Sequence, residues 1–285
     1  MFYKIKYLIL TILIVFFMVL ILFFQSCNSK KINFNTNQAI GKVSNTFGSP
    51  LNRDIDKDKD KDAALVLDNI AGGNGDDYAK SIYVDNQGKI YITGYSKGPK
   101  NEDMYVMRLN SDGNLDNTFG NKGIIIFDNI AGGNGRDTAE SMFIDNQGKI
   151  YVTGLSKYDK NKSVAYVIKL NSNGTLDKSF NKNGILIIKE ISGRPKSIYV
   201  GNNGKIYVTG NIFIKYKYDF DVFVVKINSD GSIDKTFGNE GKIVFNNIAG
   251  GNGWDMANSI YGDNNGKIYI TGRSRNANNM TCLLY

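Results

Sequence analysis

One ten-residue phrase occurs four times in this chain, and its spacing restricts the folds that the chain can adopt. It reads D-N-Q-G-K-I-Y-I-T-G at residues 85–94, with close copies at 145–154, 201–210 and 263–272. Successive copies are 60, 56 and 62 residues apart. A second phrase, L-N-S-D-G-N-L-D-N-T-F-G, lies between them and recurs at 109–120, 170–181 and 227–238. Self-similarity at such a period indicates an array of equivalent supersecondary units.

Each unit contains four segments with the composition of β-strands. In the first complete unit they are residues 81–84, 89–93, 104–109 and 123–127. Asp112-Gly113 predicts a tight turn between the last two, and the apolar run 124–127 is typical of a strand covered on both faces. Four-stranded units packed between their own copies are the blades of a β-propeller. A β-solenoid is the alternative interpretation.

The first and last units are incomplete in complementary ways. Residues 63–70 copy the fourth strand at 123–130 but lack the three strands before it. The last unit has two strands and a short third at 280–285, with no fourth. Because pairing these segments would remove an open edge, we predict an all-β propeller of about four four-stranded blades, with Leu65–Leu67 closing the last blade. A fragment of a larger propeller and a half-ring that dimerises are the alternatives.

The amino-acid composition excludes several classes of catalytic and binding site. The chain has no histidine, which excludes Ser-His-Asp triads and histidine-ligated metals. Its net charge of +8 comes from lysines dispersed among acids. No basic run with interleaved aromatic residues is present, so we expect no nucleic-acid partner. The 31 glycines and 33 tyrosines and phenylalanines suit a turn-rich β protein.

The first 26 residues resemble an export signal. Two lysines precede the apolar stretch 7–24, and Ser26 and Cys27 follow it at once. A cysteine in this place, after a small residue, is typical of a lipoprotein signal, so we predict that Cys27 carries lipid after cleavage. An uncleaved signal anchor is the alternative, because the stretch is long enough to approach the thickness of a bilayer core. Either form would export the rest of the chain.

The chain is therefore divided into three parts. Residues 1–26 are a lipoprotein-type signal peptide or a membrane anchor, residues 27–62 a flexible charged linker, and residues 63–285 the propeller. Within the linker, residues 54–62 alternate acids and bases, which is typical of a solvated spacer; a cation site is the alternative. The predicted location is the bacterial cell envelope, anchored to the membrane on its extracytoplasmic side.

The units resemble the bacterial delta-60 repeat and the related SBBP propeller repeat. The resemblance rests on G-K-I-Y-I-T-G at 88–94, R-L-N-S-D-G-N-L-D-N-T-F-G at 108–120 and G-G-N-G-D-D-Y-A at 72–79, and it covers roughly residues 63–285. It implies a β-propeller in exported or surface proteins, and it brings no catalytic residues.

Three acids occupy one position in the repeat, just before the first strand of a unit: Asp77, Asp137 and Asp255. If first strands line a central channel, these carboxylates could converge on a cation or a polar ligand. The alternative is that each caps its own loop through backbone N–H groups.

Two further features are candidates for ligand contacts. The turns at 110–116 and 228–234 place oxygen-bearing side chains at alternate positions, as calcium loops do. They lack the terminal glutamate of an EF-hand, so we expect no cofactor beyond a possible structural calcium ion. Trp254, the single tryptophan, replaces Asp76 and Arg136 of equivalent loops; it could anchor a sugar or protein, or pack on the neighbouring blade.

These observations predict a membrane-anchored lipoprotein whose propeller is a non-enzymatic binding module for a protein or glycan. The alternative is an envelope enzyme of the lyase or glycosidase type that uses carboxylates of the propeller channel. Acids confined to one blade would favour the enzyme, whereas the acids at Asp77, Asp137 and Asp255 recur. We therefore expect no enzymatic activity.

Overall fold

A computed structural model of the protein describes residues 65–133, 135–159, 162–189, 191, 193–214, 219–250, 253–275 and 280–284. The signal segment, Cys27 and the linker lie outside these residues. The described part is all β, and it contains no helix with the length and apolar character needed to cross a bilayer.

In the part of the chain that the structure describes, fifteen strands form four antiparallel sheets in chain order. The first sheet is β1 (Asp77–Val84), β2 (Ile90–Lys97), β3 (Glu102–Leu109) and β4 (Ile124–Phe127); the second is β5 (Asp137–Ile144), β6 (Ile150–Asp159), β7 (Lys162–Leu170) and β8 (Ile185–Ile188). The third is β9 (Gly193–Val200), β10 (Ile206–Ile214), β11 (Asp219–Ile227) and β12 (Lys242–Phe245); the fourth is β13 (Asp255–Gly262), β14 (Ile268–Arg275) and β15 (Met280–Leu284).

Each sheet packs face to face on the next one along the chain, as the blades of a propeller do. One apolar cluster lies between the first two blades, a second between blades two and three, and a third between blades three and four. The first strands of consecutive blades, β1, β5, β9 and β13, lie against one another. They therefore form the inner edge of the arc, and the predicted propeller architecture is confirmed.

A β-bulge interrupts every inner strand at the same place. The pairing of β1 with β2 skips Lys80, between Ala79 and Ser81, and the other three inner strands skip the equivalent residue. The bulge brings the carbonyl of Tyr78 so close to Gly94 that a Cβ at Gly94 would overlap it. The glycine that ends each repeated phrase is thus fixed by the bulge beside it.

The predicted closing strand is the point at which the structure differs. Leu65–Leu67 forms no strand, and the last sheet has three strands among the described residues. Leu67 instead packs against Ile70, Tyr105 and Met107 on the face of the first blade that is turned away from the second, which we call its front face. The repeat gives this segment the apolar character of a fourth strand, but in the single chain the last blade does not come alongside it.

Candidate functional site

The bulged residue is not the same in all four blades, although the strands around it are copies: two are lysines, one is a glutamate and one an asparagine. They are Lys80, Glu140, Lys196 and Asn258, and each is followed by a serine. Because a bulge adds an unpaired residue at the innermost strand, the fold presents one variable side chain per blade at the inner edge of the arc.

Three blades contribute to one charged group, which we call the inner-edge cluster: Lys80, Glu140, Arg194 and Lys196. Nε and Nη2 of Arg194 donate to Oε1 of Glu140 at 3.0 and 2.6 Å. Nζ of Lys196 lies 3.9 Å from Oε2 of the same carboxylate. The Glu140 side chain is buried, whereas those of Arg194 and Lys196 reach solvent. The cluster holds three cations against one carboxylate.

Burial and the surplus of positive charge in the cluster lower the pKa of Lys196. Burial lowers the pKa of its ammonium group, and the charges of Arg194 and Lys80 lower it further, while Glu140 acts in the opposite direction. A protonated Lys196 is therefore held beside two like charges in a partly desolvated place. A bound anion would relieve that repulsion.

An aromatic surface adjoins the cluster on the first blade. The rings of Tyr78 and Tyr95 lie 4.8 Å apart between centroids, and Nζ of Lys80 is 5.7 and 5.4 Å from them. The guanidinium of Arg136 lies 4.9 Å from the Tyr95 ring. Tyr78 is exposed, so an aromatic face and cations are available to one ligand.

Each of the three repeated acids is hydrogen-bonded to its own loop, and a role in binding a ligand stays a prediction. Asp77 accepts hydrogen bonds from the backbone N–H groups of Asn69 (2.7 Å) and Ile70 (3.3 Å) in the loop that precedes it. The other two accept equivalent bonds from their own loops: Asn129 and Ile130 donate to Asp137, and Ile248 donates to Asp255. Each carboxylate thus caps one loop, which is the structural alternative stated above.

The third blade supports this assignment. Its residue at the acid's position is Gly193. Ile212 stands at the position of Ser156, the serine that hydrogen-bonds Asp137 in the second blade. The loop phrase N-I-A-G-G-N-G is missing from this blade. The acid, the serine and the loop phrase are all absent from the third blade. This is expected when the carboxylate stabilises the loop.

The oxygen-rich turns use their side chains within the turn. Asp112 accepts from the backbone N–H of Asn114 at 2.9 Å, and Asp116 accepts from Thr118 and lies in ion pairs with Lys89 and Arg108. Burial would raise the pKa of Asp116, but the hydrogen bonds and cations outweigh it and lower that pKa well below its usual range. Within the described ranges no three acidic or cysteine side chains are arranged to hold a metal. A structural calcium ion stays a prediction.

Trp254 packs on the neighbouring blade and remains exposed. Its ring meets that of Phe220 edge to face, with centroids 5.9 Å apart, and Phe220 in turn contacts Phe213 at 5.2 Å. Trp254 thus packs on blade three, as one alternative states, and presents a face to solvent; a role as an anchor for a sugar or protein stays a prediction.

Sequence reasoning missed the inner-edge cluster, although a signal was present. Aligning the phrases around 77–84, 137–144 and 193–200 shows lysine, glutamate and lysine before an unchanging serine. The acids at 77, 137 and 255 recur, whereas Glu140 is an acid confined to one blade. By the criterion stated above, such a residue favours an active site.

Two family models match the chain. The model described as domain of unknown function (DUF5122) beta-propeller matches residues 88–119, 148–180 and 201–237, and the model described as beta-propeller repeat (SBBP) matches residues 70–99. These matches support a β-propeller repeat of the SBBP type and confirm the resemblance inferred from the repeats. No curated protein matches it at a significant level.

Solved structures with a similar fold include enzymes that act on glycans. An endo-arabinase from Bacteroides thetaiotaomicron has 14% identity and a TM-score of 0.44, covering 79% of this chain and 80% of its own. An exo-1,5-α-L-arabinanase from a bovine ruminal metagenomic library has 14% identity, a TM-score of 0.37 and 71% coverage of both chains. An ulvan lyase has 12% identity and a TM-score of 0.36, covering 74% of this chain and 53% of its own.

These similarities are similarities of fold. The expectation that the chain is not an enzyme is corrected: the solved structures similar to it include two arabinanases and a polysaccharide lyase. The lack of histidine and the recurrence of Asp77, Asp137 and Asp255 were insufficient grounds for that exclusion.

Proposed function

We propose that this chain is an exported, membrane-tethered propeller that binds an anionic glycan at the inner-edge cluster. The observation that carries the proposal is the surplus of cations there: Lys80, Arg194 and Lys196 face a single carboxylate, Glu140. Carboxylate or sulfate groups are the ligands that such a cluster binds best, because charge-assisted hydrogen bonds to them are strong.

A sugar polymer fits the surroundings better than a small inorganic anion. The exposed ring of Tyr78, stacked on Tyr95 beside Lys80, offers the flat apolar face on which a pyranose ring packs. The cluster spans three blades, so successive charged sugars of one chain could contact it.

Binding of the full-length protein to polygalacturonate and to dextran sulfate tests the proposal, with neutral dextran as the reference polymer. Lys196→Gln and Lys80→Gln should each weaken binding about tenfold, the effect of losing roughly 1.4 kcal/mol of charge-assisted contact. Lys235→Gln is the matched control, because Lys235 is an exposed lysine paired with Glu240 away from the cluster. Equal affinity for dextran, or equal losses in all three variants, would refute the proposal.

A lyase activity of the same cluster is the second candidate. The position of Lys196, partly buried beside Arg194, is the observation that favours it, because burial and the nearby guanidinium lower the pKa of its ammonium group and so make the lysine better suited to act as a base. Arg194 would bind the uronate carboxylate while Lys196 takes the proton on the adjacent carbon. The glycosidic C–O bond then breaks, a C=C bond forms, and the departing oxygen takes up a proton from water. A glycosidase fits less well, because it needs a second carboxylate near Glu140.

Ultraviolet absorbance of the unsaturated product decides between binding and cleavage. Incubation with polygalacturonate should raise this absorbance if the chain is a lyase, and Lys196→Arg should then retain binding while losing turnover. Unchanged absorbance with intact binding would eliminate the lyase and leave the binding function.

A further inference from the structure

The two ends of the blade arc leave faces exposed that are buried everywhere else in the repeat. Ile82 on the front face of the first blade is 67% exposed, whereas its equivalents Met142, Ile198 and Ile260 are between 4% and 7% exposed. Each equivalent packs against the preceding blade. The front face of the first blade is thus built like an internal interface and lacks its cover.

The rear face of the last blade has the complementary property. Tyr269 is 39% exposed, whereas its equivalents Tyr91, Tyr151 and Tyr207 are between 3% and 8% exposed in the interface with the following blade. Tyr261, beside it on β13, is 66% exposed. The first blade therefore leaves a front face open, and the last blade leaves a rear face open. Each internal interface joins one front face to one rear face.

A repeated hydrogen bond connects each inner strand to the next. The backbone N–H groups of Met142, Ile198 and Ile260 donate to the Oγ atoms of Ser81, Ser141 and Ser197, at 3.3, 3.4 and 3.2 Å. The same pattern assigns the N–H of Ile82 to the hydroxyl of Ser259. Those two groups lie on opposite open faces, so a front-to-rear contact between copies would complete the series.

The fourth strand that the last blade lacks can be assigned by the same equivalences between blades. In the first blade, Phe127 of the fourth strand pairs with Met104 of the third. The repeat makes Leu67 equivalent to Phe127, and Cys282 equivalent to Met104, because Arg273 and Tyr95 are equivalent and pair with Cys282 and Met104. Leu67 already packs on the front face of the first blade, as Phe127 packs on that of the second.

We propose that two copies of this chain associate front to rear, twice, to close one ring of propeller blades. Each copy lays Leu65–Leu67 beside β15 of the other and supplies the fourth strand of its last blade. The continuity of both faces with the established interfaces favours a second copy as the occupant. Two copies of four blades give eight, within the range of about 4–8 found in propellers. The inference is independent of the proposed ligand.

Disulfide formation tests this register in the full-length protein, solubilised in detergent and carrying Cys27→Ser. Leu67→Cys should form a disulfide with the native, exposed Cys282 of the second copy, because directly opposed residues of antiparallel strands have Cα atoms about 4.5–5.5 Å apart, within disulfide range. Mild oxidation should convert the chain to a covalent dimer on non-reducing gels and to nothing larger.

Matched controls separate this contact from random collision. Val66→Cys places the thiol one residue away, on the other face of the segment, and should not cross-link; neither should the parent with Cys282 alone, nor Leu67→Cys with Cys282→Ser. Ile82→Asp should abolish the dimer, whereas Tyr158→Asp, at an exposed aromatic of the second blade, should not. An intramolecular disulfide, a ladder above the dimer, or no cross-link beyond the Val66→Cys level would each overturn the two-copy ring.

Discussion

Acidic side chains in this molecule differ in role according to what surrounds each carboxylate. Asp103 lies buried near the interface of the first two blades. Burial, with repulsion from Asp128 and Asp137, raises its pKa to about 6. Its charged form is therefore unfavourable in the folded state, unlike that of Asp116, which is stabilised by cations.

Asp103→Asn is expected to stabilise the protein at neutral pH. A carboxyl whose folded pKa exceeds its unfolded value of 3.8 destabilises the fold above pH 6, and the penalty disappears as pH falls toward 4. The melting temperature of the variant should exceed that of wild type by a few degrees at pH 7.5, and the difference should shrink steadily down to pH 4. Differential scanning calorimetry across this range measures it.

Glu102→Gln removes the neighbouring acid and is the charge-matched control. A pH-independent difference for Asp103→Asn, or the same profile in both variants, would contradict the assignment of the raised pKa to Asp103.

At the scale of the elements, the inner-strand bulge determines the sequence around it. In the second blade a Cβ at Gly154 would overlap the carbonyl of Thr138 and come within 2.7 Å of the Tyr166 hydroxyl, which itself donates to that carbonyl at 3.0 Å. Neither the backbone nor the buried tyrosine can move away without breaking this arrangement, so the glycine maintains the bulge that positions Glu140.

Gly154→Ala should consequently lower the free energy of unfolding by about 1–3 kcal/mol or more, the range for overpacking a core. It should also weaken glycan binding, because the bulge that carries Glu140 must shift. Gly201→Ala is the control: a Cβ there would overlap no backbone atom and would closely approach only the side-chain oxygen of Asn203, at 3.0 Å, and the other three units carry aspartate there. Urea unfolding of both variants provides the comparison, and equal stabilities would contradict the role given to the bulge.

The repeat predicted the elements well and the inner edge poorly, for a physical reason. Strand composition and turn residues such as Asp112-Gly113 give the four strands of each blade to within a few residues. A bulge depends on the pairing of two strands, which composition does not specify, so Lys80 and Glu140 could not be placed at the edge. Likewise, the register of the repeat places Leu67 beside the third strand of a blade. It does not determine which copy of the chain supplies that strand.

At the scale of the whole molecule, the proposed function requires that the propeller is tethered to a membrane. The apolar stretch 7–24 and the Ser26-Cys27 junction remain the basis for this prediction. Lipidation of Cys27 would place the propeller beyond a linker whose alternating charges at 54–62 stay solvated. A ring of two copies would then have two lipid anchors, and two anchors bind membranes far more stably than one.

Metabolic labelling with palmitate tests the anchor. Wild-type protein should incorporate label and Cys27→Ser should not, whereas Cys282→Ser, which alters the other cysteine, should label as wild type does. Inhibiting lipoprotein signal peptidase should leave a larger, uncleaved form, because removal of residues 1–26 shortens the chain. Equal labelling of wild type and Cys27→Ser, or an unchanged size under inhibition, would exclude the lipoprotein and favour an uncleaved anchor over residues 7–24.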